Sequence, residues 1–503
     1  MKRSLIVILG LIFVLGITAS AFAIHAEIPS ETQSIVAKGS TQITLGGELR
    51  FRGETRNNTT DFNNGAGDRY NAYDGRVRLN LQADVSKNTT GYVQLESGDT
   101  DTADTYTWGD SPNGSDGSTA NGATGIYTEG NGKRGDMRIL QAWIQSKDVI
   151  GPIGFKVGHM PVKLGNGLFL DHSKFGDDAL MVFANPTKEL EIALVNAKAT
   201  EGTTQAAGGW TTYATTASGR VTYTPSYTTQ NDDTNVYAGL INYKGAGFNL
   251  GADVTYLNDQ NYAAEGLRFW NYGVRMDSKM GPIGLFADIE YQNGTAKDMV
   301  QGAPDVAQRN TEFQGHAALA GVNFKTDTVT LDATIATGSG DGDNADNKIN
   351  TFVTSLGSDQ HYTYVYEYRT RTAGVTAPTA GRSALGGTGT GIANTTYYKV
   401  GAAMKPSKDL ALNVNGYVLK ATKAVANCNS VDWTQCPYTS SNIGTEIDGK
   451  MTYQLDKNLV YFIEGGYLIA GNFYRNLVMS TGPQGAEDPD NPYAVRHGVT
   501  LSF

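Results

Sequence analysis

The hydrophobic positions of this chain fall on every second residue rather than on every third or fourth. In residues 41–56, Ile43, Leu45, Leu49 and Phe51 alternate with Glu48, Arg50, Arg52, Glu54 and Arg56. Residues 73–86 set Val77, Leu79, Leu81 and Val85 against Arg76, Arg78, Gln82 and Asp84. A period of two belongs to a strand with one apolar and one polar face. The pattern predicts strands at 41–56, 73–86, 90–98, 137–147, 153–160, 179–184, 189–199, 234–243, 248–258, 267–278, 283–294, 313–325, 328–338, 396–405, 410–422, 443–455, 459–472 and 494–503, which is 18 in all. A count of 16 stays open, because 179–184 is short and 200–233 or 351–372 could hide or replace a pair. The faces of 137–147 cannot be assigned, since both are mixed, and no long stretch has helical spacing.

Short turns at 87–89, 150–152, 185–188, 244–247, 280–282, 326–327, 406–409 and 456–458 are built largely from turn-forming Gly, Pro, Asn, Asp, Ser and Thr, with Lys in several. They alternate with longer polar loops, the hairpin pattern of a closed antiparallel barrel with both termini on one side. The last segment places Val495, Val499, Leu501 and Phe503 on one face, and about ten such residues cross a membrane as a tilted strand. Its terminal Phe503 resembles the signal read by the barrel-insertion machinery of Gram-negative bacteria. At the other end, Lys2 and Arg3, the apolar run Leu5 to Ile17 and Ala21-Phe22-Ala23 have the order of a secretory signal peptide. The expected organisation is therefore a leader over 1–23, a short periplasmic segment over 24–40 and one transmembrane β-barrel domain over 41–503. Composition agrees: 61 Gly and 27 Tyr with only 18% charged residues suit strands apolar on one face.

The polar faces carry charge. Besides the residues above, the alternation turns Asp253, Arg275, Asp288, Glu290, Asp332, Glu446, Asp448, Lys450 and Arg496 inward. Charges at such positions need a wet lumen, and 16 to 18 strands are enough to leave an aqueous channel. Fewer than twenty residues separate the expected leader from the first strand, too few for a folded plug. A hole lined in this way conducts small hydrophilic solutes.

Residues 161–178, the third outer loop, mix Leu164, Leu168, Phe169, Leu170 and Phe175 with acids. A loop that only met water would not need those apolar groups. They are explained if the loop folds inward, packing Phe169 or Phe175 on the wall and projecting Asp171, Asp177 and Asp178 into the passage. In this the sequence resembles the Gram-negative outer-membrane porins, whose third loop bends into the barrel and faces a cluster of wall arginines. The resemblance implies a constriction between Asp171, Asp177 and Asp178 on one side and Arg50, Arg52, Arg76 and Arg78 on the other, with Arg56 and Arg496 on adjoining strands. Opposed charges would set a field across it that penalises apolar solutes; the alternative is that the arginines pair with Glu48, Glu54 and Asp84 merely to hold the lumen open. A looser resemblance, to the 18-strand barrels of alginate export, rests on Val157-Gly158-His159, Gly165 to Gly167 and Asp178-Ala179, with His159 standing where that pattern has Arg.

Other chemistry is sparse. Cys428 and Cys436 lie in one polar stretch without metal-ligand company, and an oxidising periplasm would let them close a loop. Asp341, Asp343 and Asp346 could hold a divalent cation, but lack the spacing of an EF-hand, and a solvated acidic loop is the simpler reading. There is no H-E-x-x-H, G-x-S-x-G, P-loop or C-x-x-C-H, and His316 and His497 are the strand histidines weighed for a hydrolase site. A net charge of −10 argues against nucleic acid and favours cations at the mouth, while the arginine wall works against that locally, and the balance leans to weak cation selectivity. The expectation is a porin without cofactor in contact with lipid and lipopolysaccharide, passing small hydrophilic solutes by diffusion and assembling, by the resemblance, as a homotrimer. Its alternative is a channel selective for an anionic or carbohydrate solute, including polysaccharide export.

Overall fold

In the computed structural model the described residues are 34–38, 41–60, 62–65, 69–98, 106–107, 136–200, 211–213, 222–224, 233–260, 266–299, 309–342, 347–354, 356, 362–370, 391–425, 439–475 and 488–503. The expected leader, Cys428, Cys436, Asp343 and Asp346 lie outside them. Eighteen wall strands follow the chain: β1 (Thr41–Asn57), β2 (Tyr70–Asp84), β3 (Thr89–Gly98), β4 (Asp136–Ile150), β5 (Ile153–Lys163), β6 (Asp171–Ala184), β7 (Leu190–Thr200), β8 (Thr234–Gly245), β9 (Phe248–Asp259), β10 (Leu267–Met280), β11 (Ile283–Met299), β12 (Arg309–Phe313 continued by His316–Lys325), β13 (Val329–Gly338), β14 (Thr395–Met404), β15 (Leu410–Val425), β16 (Ser440–Asp456), β17 (Leu459–Ala470) and β18 (Tyr493–Ser502). Each pairs antiparallel with the next, and β1 pairs with β18 from Glu48↔Ser502 to Asn57↔Tyr493, which closes the barrel. Closure leaves no unpaired edge in lipid.

The count is 18, so the 16-strand alternative falls away. Among the described residues of 351–372 there is no strand pair; they run inside the barrel and contain a single π-helical turn, Tyr366–Thr370. The mixed faces of residues 137–147 also have a cause. The β3–β4 register shifts between Gln94 and Leu95, so that Ile139 and Gln141 meet consecutive residues of β3 and Leu140 is the extra residue of a bulge. A one-residue bulge exchanges inside and outside along a strand, which no single alternation can describe.

The outer face is an apolar belt that includes Leu79, Leu180, Leu194, Val274, Val400 and Ile447, all exposed. Aromatic girdles edge it: Tyr237, Tyr256 and Trp270 pack in a row with centroids 6.2 and 4.5 Å apart, and Tyr243 and Phe248 pair at the opposite end of β8 and β9. Amphipathic rings at two levels are what the two lipid–water interfaces select.

The inner face divides in two. On β6 to β9 the inward positions include Ala179, Met181, Ala193, Val195, Val236, Leu240 and Leu257, which join one apolar cluster with Leu164, Leu168, Phe169 and Leu170 of the third outer loop. On β1, β2 and β15 to β18 the inward positions are mostly charged or hydrogen-bonding. The barrel thus has a packed half and a wet half.

Candidate functional site

The third outer loop folds inward, as its apolar residues require, but it is shorter than expected. β6 begins at Asp171, so residues 164–170 alone form the loop. Gly165 has φ +54°, and a Cβ there would come within 2.8 Å of Asp288 Oδ2. Glycine thus lets the backbone lie against β11, where Asn166 donates its backbone N–H and its Nδ2 to Asp288 Oδ2, both at 2.9 Å. Phe169 stacks on Phe269 of β10 at 5.8 Å. Apolar burial holds one side of the loop and a buried carboxylate the other.

The described residues of the seventh outer loop, which joins β13 to β14, run through the lumen. Gln292 of β11 brackets Val353, donating to its carbonyl (2.9 Å) and accepting its N–H (2.7 Å). Farther along, three consecutive N–H groups meet two carboxylates of β16: Tyr364 donates to Asp448 (3.0 Å), and Val365 and Tyr366 donate to Glu446 (2.5 and 2.8 Å). Arg369 then reaches Glu54 of β1 at 2.6 Å. Glycines mark the seats: a Cβ on Gly466 would lie 2.9 Å from the Val365 side chain, and one on Gly315 2.8 Å from the backbone of Phe352.

Between this loop and the wet wall lies a cavity of about 450 Å³. Its cations are Arg50 and Arg52 from β1, Arg76 from β2, Lys174 from β6, Lys450 from β16 and Arg496 from β18, and its carboxylates are Asp448 and Glu464. Tyr362, Tyr364 and Tyr368 of the seventh loop, Tyr417, Asn413 and Asn415 of β15, and Phe175 complete most of the lining. Register explains the clustering, because Arg50 stands opposite Arg76 across β1–β2 and Glu54 stands opposite Arg496 across the closing pair. Carboxylates hold the guanidinium groups in place: Arg52 on Asp74 (2.7 Å), Arg76 on Glu48 (2.5 Å) and Arg496 on Glu464, which Lys450 also reaches at 3.1 Å. Asp74 and Glu48 are not in the cavity lining. Both carboxylates that do line it are engaged, Asp448 by the Tyr364 N–H and Glu464 by Arg496 and Lys450.

Tyr368 sits among these cations, its hydroxyl accepting from Arg496 (3.2 Å) with Arg369 over its ring at 3.8 Å. Burial would raise this phenol, but Arg369, Arg496 and Arg52 together hold it below its ordinary value. Tyr364, also in the loop, is pushed up to about 12, chiefly by burial.

Arg50, Arg52 and Arg76 therefore meet in one cavity, while the expected partners do not. Arg78 is outside the lining and is paired with Glu96 of β3. Asp171 is buried at the start of β6, bound by Lys163 (2.7 Å) and by Ser173 Oγ (2.6 Å). Asp177 is bound by His172 (2.9 Å). Asp178 shares the parity of exposed Leu180 and Val182 on the outer face, where it meets His159. The acid face expected on the third loop is thus corrected: β6 starts at Asp171, so the three acids are strand residues held by other partners, and plain alternation with Leu180 turns Asp178 outward. His316 and His497 lie on β12 and β18, both at outward positions. Asp341 is buried, accepting the Asn350 N–H, with its own N–H given to Thr351 Oγ1. Lys174 and the seventh-loop tyrosines were not singled out by sequence, and Phe175 was singled out only as a residue to pack on the wall. The apolar Phe175 inside an acidic stretch was the one available signal.

No protein-family model matches the chain, and no curated protein matches it. Among solved structures it is similar to OccK9 (OpdG) of Pseudomonas aeruginosa, at TM-score 0.51 and 10% identity over 92% of this chain and 98% of that one. OccK8 (OprE) of the same organism aligns at TM-score 0.48 and 10% identity over the same shares, and a BenF-like porin from Pseudomonas fluorescens at 0.48 and 11%, again over 92% and 98%. At such identities the likeness is one of fold, and the chain has the closed 18-strand architecture of outer-membrane porins with its apolar belt in the lipid.

Proposed function

We propose that this barrel is an outer-membrane channel for passive diffusion of small hydrophilic solutes, selective for anions over cations. One observation carries the reading: the cavity between the seventh loop and the wet wall is lined by six cationic side chains and only two carboxylates, both already engaged. A volume of about 450 Å³ suits a small hydrated solute. In a narrow low-dielectric passage, excess fixed positive charge raises the local concentration of anions and exchanges with their hydration shell. The chain's overall negative charge acts in the opposite sense at longer range, where salt screens it. No chemical step is needed, so the channel works without catalysis or cofactor.

Purified chain reconstituted in a planar bilayer should give stepwise, ohmic conductance, and the reversal potential across a KCl gradient should have the sign of chloride preference. The potassium sign would reject anion selectivity, and a silent bilayer from heat-modifiable, folded protein would reject the channel. Conductance linear in salt indicates a general pore, whereas saturation or block by an anion indicates a binding site in the passage.

A further inference from the structure

The β5–β6 ladder runs in register from Ile153↔Ala184 to Met160↔Asp177 and resumes at Val162↔His172. Pro161 alone thus faces the four residues 173–176. Proline has no N–H to offer the ladder, which is where a strand tolerates interruption. Gly176 turns the chain back at φ +78°, and a Cβ there would stand 3.0 Å from the carbonyl oxygen of Met160. This is a folded bulge with a defined geometry.

Its neck and flank are tied. At the neck, His172 Nδ1 donates to the Asp177 carboxylate, 2.9 Å from each oxygen. Beside it, Ser173 gives its N–H and hydroxyl to Asp171 Oδ1 (3.2 and 2.6 Å), while Lys163 holds Oδ2 of the same carboxylate. From the neighbouring strand, His159 Nε2 donates to the carbonyl of Phe175 (2.8 Å), with Nδ1 against Asp178 (2.9 Å). The Asp171 N–H also goes to the carbonyl of Leu356, tying the bulge to the seventh loop. What these bonds position is its tip, where the Lys174 ammonium lies 4.4 Å from the centroid of the Phe175 ring and both residues line the cavity.

Among the described residues, Lys174 is the only cavity cation that comes from outside the seam strands β1, β2 and β16 to β18. Resting on the channel reading above, we propose that Lys174 is a specificity-determining residue of the passage, and that His172 is the positioning residue that fixes the bulge presenting it. An anion in transit meets guanidinium groups on the seam side and an ammonium from β6. The solute class favoured is a small organic anion with more than one oxygen acceptor, able to touch both sides at once. A cation meets the same two sides as repulsion.

Malonate block of the chloride current in planar bilayers tests this, using full-length protein whose folding is checked by heat modifiability. Lys174→Ala and the longer neutral variant Lys174→Met should each raise the half-blocking malonate concentration by about fivefold, the scale of one partly exposed ion contact. Lys174→Glu should raise it further and move the reversal potential toward cations, and Lys174→Arg should restore block. His172→Ala keeps the charge but opens the neck, and should weaken block as Lys174→Ala does. His172→Asn, which keeps a donor near the Nδ1 position, should recover part of it, a rescue that a merely structural role would not show. If the parent is blocked by malonate and both neutral variants match it, the role of Lys174 is overturned while the anion channel stands. If the parent is neither blocked nor anion-selective, the channel reading and this inference fall together.

Discussion

Two halves of the same inner wall use the same strand period for opposite ends. On β6 to β10 the inward residues include many Ala, Val, Leu, Met and Phe beside the buried Asp253–Arg275 pair, and the third loop packs on them until Phe169 is 1% exposed. On β1, β2 and β15 to β18 the inward residues are mostly Arg, Lys, Asp, Glu, Asn and Tyr, and a cavity remains open against them. The difference shows that a barrel of this width is not a pore by default. Loops fill whichever part of the lumen offers apolar surface, because burying them there removes it from water. Guanidinium and ammonium groups keep the other part wet, because stripping their hydration costs more than packing returns. The seventh loop divides the two, bracketed by Gln292 on the packed side and tied to Glu446, Asp448 and Glu54 on the wet side.

Substitutions on either side should break this comparison differently. The largest effect is expected on the packed half: Phe169→Ala should cost about 3 to 5 kcal/mol, read as a lower urea midpoint in liposomes, with ion preference retained. Next is the seat of the seventh loop. Gly466→Val puts carbon where Val365 already lies, and this overpacking should cost about 1 to 3 kcal/mol and raise single-channel conductance as residues 364–366 lift from β16. On the wet half, replacing Arg50, Arg52 and Arg76 together by Gln should lower the chloride-to-potassium permeability ratio about tenfold, which corresponds to about 1.4 kcal/mol. An unchanged ratio would mean that these guanidinium groups only brace the wall through Asp74 and Glu48.

The smallest effect is a titration. The Tyr368 phenol is held below its ordinary value and gains negative charge on ionising, so raising pH should erode anion preference before an ordinary tyrosine titrates. Tyr368→Phe should keep the preference over that range. Tyr364, pushed up to about 12, stays neutral there and does not contribute. Identical pH profiles in the two proteins would remove Tyr368 from the cavity's electrostatics.

Much of the wall was legible because each strand's faces depend only on its own alternation. Ile43, Leu45, Leu49 and Phe51 outward and Arg50 and Arg52 inward follow from counting by two, and hairpin register then sets Arg76 against Arg50. Counting fails where the backbone inserts residues. The bulge at Leu140 blurred β4, the early start of β6 put Asp178 on the outward parity of Leu180, and the bulge at residues 173–176 brought Lys174 into the cavity. The path of the seventh loop was not legible either, since its partners are remote: Arg369 meets Glu54 across 315 positions. The glycines at 315 and 466 record it only as side chains left out, and they become informative once the loop is seen against them.

The sequence by itself determined the strands, their number to within a pair, the apolar belt and which charges face inward, because these depend on local period and turn chemistry. Only the tertiary structure decided how the lumen is divided. That depends on which loop finds apolar wall, which carboxylates capture its N–H groups and which bulge re-aims a lysine. Those contacts join residues far apart in the chain, and their free energy arises only when closure brings the walls around the loops.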